Sequence, residues 1–203
     1  MSALAEDSLK EDRLRALLDK ARGCRACAGL LPFEPRPVFQ ASATSRLLII
    51  SQAPGSKVQE SGIPFSDRSG ERLRSWLGID SDIFYDESLV AILPMGFCYP
   101  GRAKTGDAPP RRECAPLWRE QILTHLSAVR LTLLVGTYAQ SAVLGSGRMS
   151  DRVRDFSTYL PSIFPLPHPS WRSQLWIEKN PWFETELLPI LRNSVTDVLC
   201  KEA

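Results

Sequence analysis

The sequence predicts an α/β domain of three layers (α/β/α), in which helices cover both faces of a short, mainly parallel four-stranded sheet. Three observations predict it. Four short runs, at residues 46–51, 89–93, 131–135 and 163–166, are apolar at consecutive positions rather than alternating, as in strands buried on both faces. Segments with helical periodicity fall between them, and strands alternating with helices call for crossover connections and hence parallel pairing. The chain has 203 residues, 43% apolar and 24% charged. That composition fits one soluble domain and excludes a disordered tail, a fibrous repeat or a coiled coil.

Each element has its own local signal. Leu9, Leu14, Leu17, Leu18 and Ala21 form a stripe flanked by charge, which predicts a helix over 6–22 that ends near Gly23. Residues 1–22 are accordingly expected to pack as a helix on a domain spanning 23–203. Pro32, Pro35 and Pro37 mark an extended connector. Arg46-Leu-Leu-Ile-Ile-Ser51 reads as the first strand and runs into the turn Gln52-Ala-Pro-Gly55. Residues 69–78 read as a helix stopped at Gly78. Leu89-Val-Ala-Ile-Leu93 is the second strand, and 99–113 is a loop rich in Pro, Gly and Arg. Pro116 opens a helix through about 129, and Leu131-Thr-Leu-Leu-Val135 is the third strand. A helix of small residues follows over 138–144, then a short fourth strand, Ile163-Phe-Pro-Leu166, and the segment His168-Pro-Ser-Trp171. Asn180 is expected to cap a last helix with Pro181 at its first position. In such sheets ligands bind beyond the carboxyl ends of the strands, here 51–55, 94–99, 136–138 and 167–170.

The 25 basic and 23 acidic side chains leave a net charge of +2, too small for a field that announces nucleic acid. No apolar run approaches the ~18–20 residues needed to span a bilayer. The N-terminus lacks a signal-peptide core, so a cytoplasmic, non-membrane, monomeric protein is expected. In that compartment five cysteines argue against a disulfide framework. Cys24 and Cys27 form a C-x-x-C, and fifteen residues separate Cys98 from Cys114. Four thiolates so spaced suit a zinc ion or an iron–sulfur cluster, and the wide second interval favours [4Fe–4S]. The alternative is a set of ordinary buried thiols. Cys200 stands apart as a bystander.

Together these residues resemble the uracil-DNA glycosylase superfamily, and its iron–sulfur (family 4) branch most closely, over about residues 20–200. The four cysteines match that branch's cluster ligands, including the fifteen-residue interval. Gln52-Ala-Pro-Gly55 matches the first catalytic motif, and Gly62-Ile-Pro-Phe65 falls where members place an aromatic that stacks on the extruded base. His168-Pro-Ser170 matches the second motif, and Leu134-Val-Gly-Thr-Tyr-Ala-Gln140 resembles the segment joining the third strand to its helix. The resemblance implies a uracil-DNA glycosylase-like fold, a [4Fe–4S] cluster on Cys24, Cys27, Cys98 and Cys114, and removal of uracil or another deaminated base from DNA. His168 would donate to the departing base, and Phe65 would supply the stacking face. Gln52, Ala53, Pro54 and Gly55 would wall the pocket, with Glu60 as the base.

Two positions depart from that branch. Gln52 stands where it carries Glu, and Pro94 stands where a uracil-reading Asn is expected, with neither an amide side chain nor an N–H. The pocket would then read a different deaminated base through backbone groups of residues 93–96, or the chemistry is lost and nucleic-acid binding kept. Asp67-Arg-Ser-Gly70 resembles a family 5 segment instead. Arg111 and Arg112, with Arg102 and Lys104 in the same loop, suit phosphate contact, though Asp107 and Glu113 dilute the charge. Ser170, Trp171 and Arg172 would meet DNA, one of them wedging into the gap left by the base. Three readings follow: a glycosylase, a catalytically inactive [4Fe–4S] nucleic-acid-binding protein on its scaffold, and a zinc-stabilised nucleotide-binding module.

Overall fold

Residues on successive sheet positions point to opposite faces, so each strand feeds two cores at once. In the computed structural model, which describes residues 3–200 with side chains from Leu9 onward, the sheet is β1 (Leu47–Ile50), β2 (Val90–Ile92), β5 (Leu131–Val135) and β6 (Ile163–Leu166). Its order is β2-β1-β5-β6 and every pair is parallel. Leu47 faces Val90 on one side and Leu131 on the other, which fixes the register. Leu47, Ile49, Leu131, Leu133, Phe164 and Leu166 enter one core; Leu48, Ile50, Ala91, Leu93 and Leu134 enter the other.

Helices α3 (Arg68–Leu77) and α9 (Leu188–Cys200) close the first face with Leu73, Trp76, Leu77, Leu191 and Val195. On the second face α1 (Ala3–Arg22) inserts Leu14, Leu18 and Ala21 beside Ile122 and Leu126. Between them lie the short helices α2 (Ser56–Ser61), α4 (Ser81–Tyr85), α5 (Glu120–Leu123), α6 (Thr137–Leu144), α7 (Met149–Arg154) and α8 (Gln174–Glu178). No described helix is long and apolar enough to cross a membrane. The predicted three-layer α/β/α fold with a four-stranded parallel sheet is the one observed. Of the predicted 1–203 span, residues 1–2 and 201–203 lie outside the described ones.

Several local expectations need correction. The loop at 99–113 contains a two-stranded hairpin, β3 (Arg102–Ala103) with β4 (Gly106–Asp107). The helix expected over 116–129 is a π-helical turn, Ala115–Arg119, followed by α5; residues 124–126 tighten into i→i−3 turns that carry Leu126 inward. Asn180 does not cap with its side chain. Its amide donates to the Trp176 carbonyl (2.7 Å) and its Oδ1 accepts from the Trp182 indole (3.1 Å). A π-helical turn, Phe183–Leu187, leads into α9 where Pro189 has no N–H to give.

β2 is an edge strand, and the extended segment before β1 covers it. Gln40 exchanges both backbone hydrogen bonds with Ile92, while its buried Nε2 donates to the carbonyls of Phe84 (3.1 Å) and Val90 (2.9 Å). One side chain thus fastens the edge and the end of α4 together. Gln40→Leu keeps the volume but removes both donors, and is expected to cost about 2 kcal/mol or more, read as a lower urea midpoint at unchanged m.

Candidate active site

The carboxyl ends of the strands open into a cavity of about 640 Å³. Residues 51–55 leave β1 as one wall, Pro94 leaves β2 as another, and His168 and Ser170 follow β6. The sequence-predicted residues Gln52, Ala53, Pro54, Gly55, Phe65, Pro94, His168, Ser170, Trp171 and Arg172 all line this one cavity. Glu60, Arg111 and Arg112 do not. Glu60 is exposed on α2, Arg112 is exposed, and Arg111 lies at the cysteines instead.

Phe65 is the one described non-glycine residue with a positive φ, +52°. Such a conformation costs about 1–3 kcal/mol and persists only where the surroundings impose it. Here they do. The Phe65 carbonyl accepts from Arg74 and from the Tyr85 hydroxyl, both at 3.3 Å, and sits directly above Gly70, where any Cβ would collide with it. The ring meets buried Phe84 edge-on at 6.1 Å and also lines the cavity. Asp67 starts α3 as its N-cap, its Oδ1 accepting from the Gly70 N–H at 3.0 Å.

His168 is held by its neighbours' backbone. Gly136, at φ +84°, ends β5 directly against it: a Cβ there would stand 3.3 Å from the His168 Cβ and 3.5 Å from Cδ2. The His168 carbonyl accepts from the Ser173 hydroxyl at 2.6 Å, and Arg72 of α3 donates to the Ser170 carbonyl at 3.1 Å. Burial lowers the imidazole's pKa below its ordinary value, against the opposing charges of Asp67 and Asp107. At neutral pH the ring is therefore uncharged, with one N–H to donate.

The backbone donors near Pro94 are already committed. Leu93 N–H goes to Ile49 O, Met95 N–H to Ser51 O and Gly96 N–H to Gln52 O, at 2.9, 2.8 and 3.1 Å. Reading a base through the N–H groups of 93–96 is thus excluded by the bonds that pin this segment to β1 and its turn. The cavity's carboxylates are Asp67 and Asp107, not Glu60. A Cβ placed on Gly55 would stand 3.9 Å from Asp67 Oδ2 and 3.8 Å from Asp107 Oδ2, so both reach the same wall. Arg102, Lys104 and Arg172 supply the positive charge of the lining. Trp171, which lines the cavity, is 76% exposed, and Leu175, four residues further on, is 69% exposed.

A second, narrow cavity is lined by Cys24, Cys27, Cys98 and Cys114 together. No three His, Cys, Asp or Glu side chains among the described residues converge to bind a single metal ion. Burial, with the other cysteines' charges, pushes the Cys98 thiol up to about 12; burial pushes Cys114 to about 11. Backbone N–H groups oppose both shifts, that of Arg36 toward Cys98 and that of Phe97 toward Cys114 Sγ at 3.2 Å. Arg111 Nε and Trp118 Nε1, on residues lining this cavity, are buried donors without a protein partner, as is Arg119 Nε nearby. Orphaned donors around four thiols are the surroundings an anionic metal–sulfur group requires, so the residues present fit one. Cys200 is exposed and apart.

The Phe65 strain has a direct test. Gly70→Ala places a methyl group against the Phe65 carbonyl and is expected to destabilise the fold by about 3 kcal/mol, measured by thermal or urea unfolding. Ser69→Ala, one residue away and without that contact, should stay within about 1 kcal/mol of the parent.

Arg102 and Lys104, expected to meet phosphate, line the cavity, and so do two carboxylates that the sequence did not assign to it, Asp67 and Asp107. The signal for Asp107 was the tight Lys104-Thr-Gly106 turn, which marks a hairpin rather than an open loop. The family model described as Uracil DNA glycosylase superfamily matches residues 38–192, from the segment that covers β2 to the middle of α9. That match takes in more than half of the chain, including every lining residue of the large cavity. The chain belongs to the uracil DNA glycosylase superfamily, whose members act on DNA.

Proposed function

We propose that this protein hydrolyses the N-glycosidic bond of uracil or another deaminated base in DNA, and that it is related to the superfamily's iron–sulfur branch. One observation carries the reading: residues 52–55, Phe65 and His168 line a single cavity at the strand ends. A base that has left the stack would lie on Phe65, a contact worth about 1–3 kcal/mol. As the bond to C1′ breaks, its electron pair moves onto the base, and the neutral His168 N–H donates to the oxygen that takes up the charge. The wall at 52–55 keeps the sugar in place, and Trp171 with Leu175 is suited to fill the gap in the duplex.

The test is single-turnover base release from single- and double-stranded oligonucleotides carrying uracil, hypoxanthine or xanthine. Release from at least one of them is expected, reduced about 10²–10³-fold in His168→Ala. A second reading, a DNA-binding scaffold without the chemistry, is favoured by Pro94 and the committed N–H groups beside it. Absence of release from every substrate would leave that reading standing.

For the cysteine cavity we propose a [4Fe–4S] cluster on Cys24, Cys27, Cys98 and Cys114. A four-iron cluster takes one thiolate per iron, which suits thiols that share a cavity without converging on one point. When bound it supplies covalent ties between the end of α1 and the 98–114 loop. Purified protein is expected to be brown, with iron and labile sulfide in equal amounts. Cys98→Ala is expected to lose both and melt at lower temperature. A colourless protein with stoichiometric zinc and full stability would overturn this assignment in favour of a zinc-stabilised module.

A further inference from the structure

Glu60, the carboxylate expected to activate water, lies outside the cavity. Two others line it, and they are not equivalent. Asp67 spends Oδ1 on the Gly70 N–H that starts α3, and its other oxygen stands at the Gly55 wall. Asp107 comes from the β3–β4 hairpin, which reaches the cavity from the 98–114 loop.

That hairpin is fastened at both ends. At its base Ala108 N–H donates to Gly101 O at 2.8 Å, and Gln52 Nε2 donates to Ala108 O at 3.3 Å. At its tip the Arg172 guanidinium donates to the Thr105 carbonyl. The Tyr99 hydroxyl, on a buried ring, donates to Asp107 Oδ1 at 3.4 Å, which leaves Oδ2 facing Gly55. The tethers run to the turn after β1 and to the segment after His168, the two walls between which a sugar would sit. A flexible loop carboxylate would need none of them.

We propose that Asp107 is the catalytic residue that holds and deprotonates the attacking water; this rests on the glycosidic hydrolysis proposed above. The water oxygen forms the bond to C1′ as the C1′–N bond breaks, and the bonding pair leaves with the base. The water's proton passes to Asp107 Oδ2, and the base departs as an anion that solvent later protonates. Because glycosidic cleavage runs through an oxocarbenium-like state, the carboxylate has only to orient the water and take its proton late. Gln52 and Arg172 act through Asp107 as positioning residues.

The experiment is single-turnover release on the best of the three bases, comparing wild type with Asp107→Asn, Asp107→Ala and Asp67→Asn. Asp107→Asn is expected to lower the rate about 10²–10⁴-fold with substrate affinity and melting temperature near the parent's. Asp67→Asn keeps the α3 cap, since Asn caps as well as Asp, and is expected to lose less. Asp107→Ala is expected to regain part of its rate in added formate, which a merely structural side chain would not do. An Asp107→Asn rate within about threefold of wild type, or a larger loss in Asp67→Asn, overturns the inference while the glycosylase reading stands. A wild type that releases none of the three bases overturns both.

Discussion

A parallel sheet of four strands, buried on both faces, leaves the chain few places to be polar. Side chains along β1 and β5 must satisfy two cores, so Leu47 to Ile50 and Leu133 to Val135 are apolar without a break. Charge and hydrogen-bonding side chains are displaced to the strand ends, and the crossovers put the loops that follow all four strands at one edge. The large cavity follows from that displacement. The 51–55 turn, Pro94 and His168 arrive together because three parallel strands stop at the same level, not because any of them seeks the others.

Convergence by topology explains the rigidity of the site as well. Phe65 sits in a conformation its own side chain disfavours, and the cost is met by α3, through Gly70 and Arg74, and by Tyr85 of α4. His168 stands close against Gly136, whose φ of +84° favours glycine and where a Cβ would come within 3.3 Å of the His168 Cβ. Both aromatic groups are thus set by backbone packing before any substrate arrives, as preorganised stabilisation requires. The electrostatics follow the same layout. Asp67 and Asp107 face the inner wall, whereas Arg102, Lys104 and Arg172 belong to the hairpin and the segment after His168. A phosphate backbone would meet the cations, and an electron-poor sugar centre would meet the carboxylates.

How much of this was legible in the sequence depends on range. Strands announced themselves because burial on both faces makes a continuous apolar run, and α3 was readable up to its Gly78 stop, while its Asp67 cap was not read. The site's walls were legible because Gln52, Pro94 and His168 are attached to those strands, and Phe65 because its motif lies between β1 and α3. Asp107 and Glu60 show where reading fails. Glu60 is near the first motif in sequence, but α2 turns it outward; Asp107 is over fifty residues away and returns through a hairpin whose strands are two residues each. A ladder that short has no periodicity to detect. Arg111 has a second setting that its charge did not announce. Its charge suggested a phosphate ligand, whereas the loop's path buries its Nε beside the thiols.

One five-residue segment joins the two cavities. Pro94 walls the large one; Met95 and Gly96 are bonded to Ser51 and Gln52 in that same wall; Phe97 donates to Cys114 Sγ and accepts from Val38; Cys98 is itself among the thiols. From Cys98 the chain continues to the hairpin that carries Asp107, and from there to Cys114. The loop bearing the carboxylate is therefore anchored at both ends in the cysteine cavity, and its middle is tied to Gln52. Cys98 and Cys114 thus bracket the hairpin whose Asp107 stands at the Gly55 wall. Thiols placed outside the reaction would act on it through geometry alone, by fixing the two ends of a loop whose middle is already tied to Gln52 and Arg172.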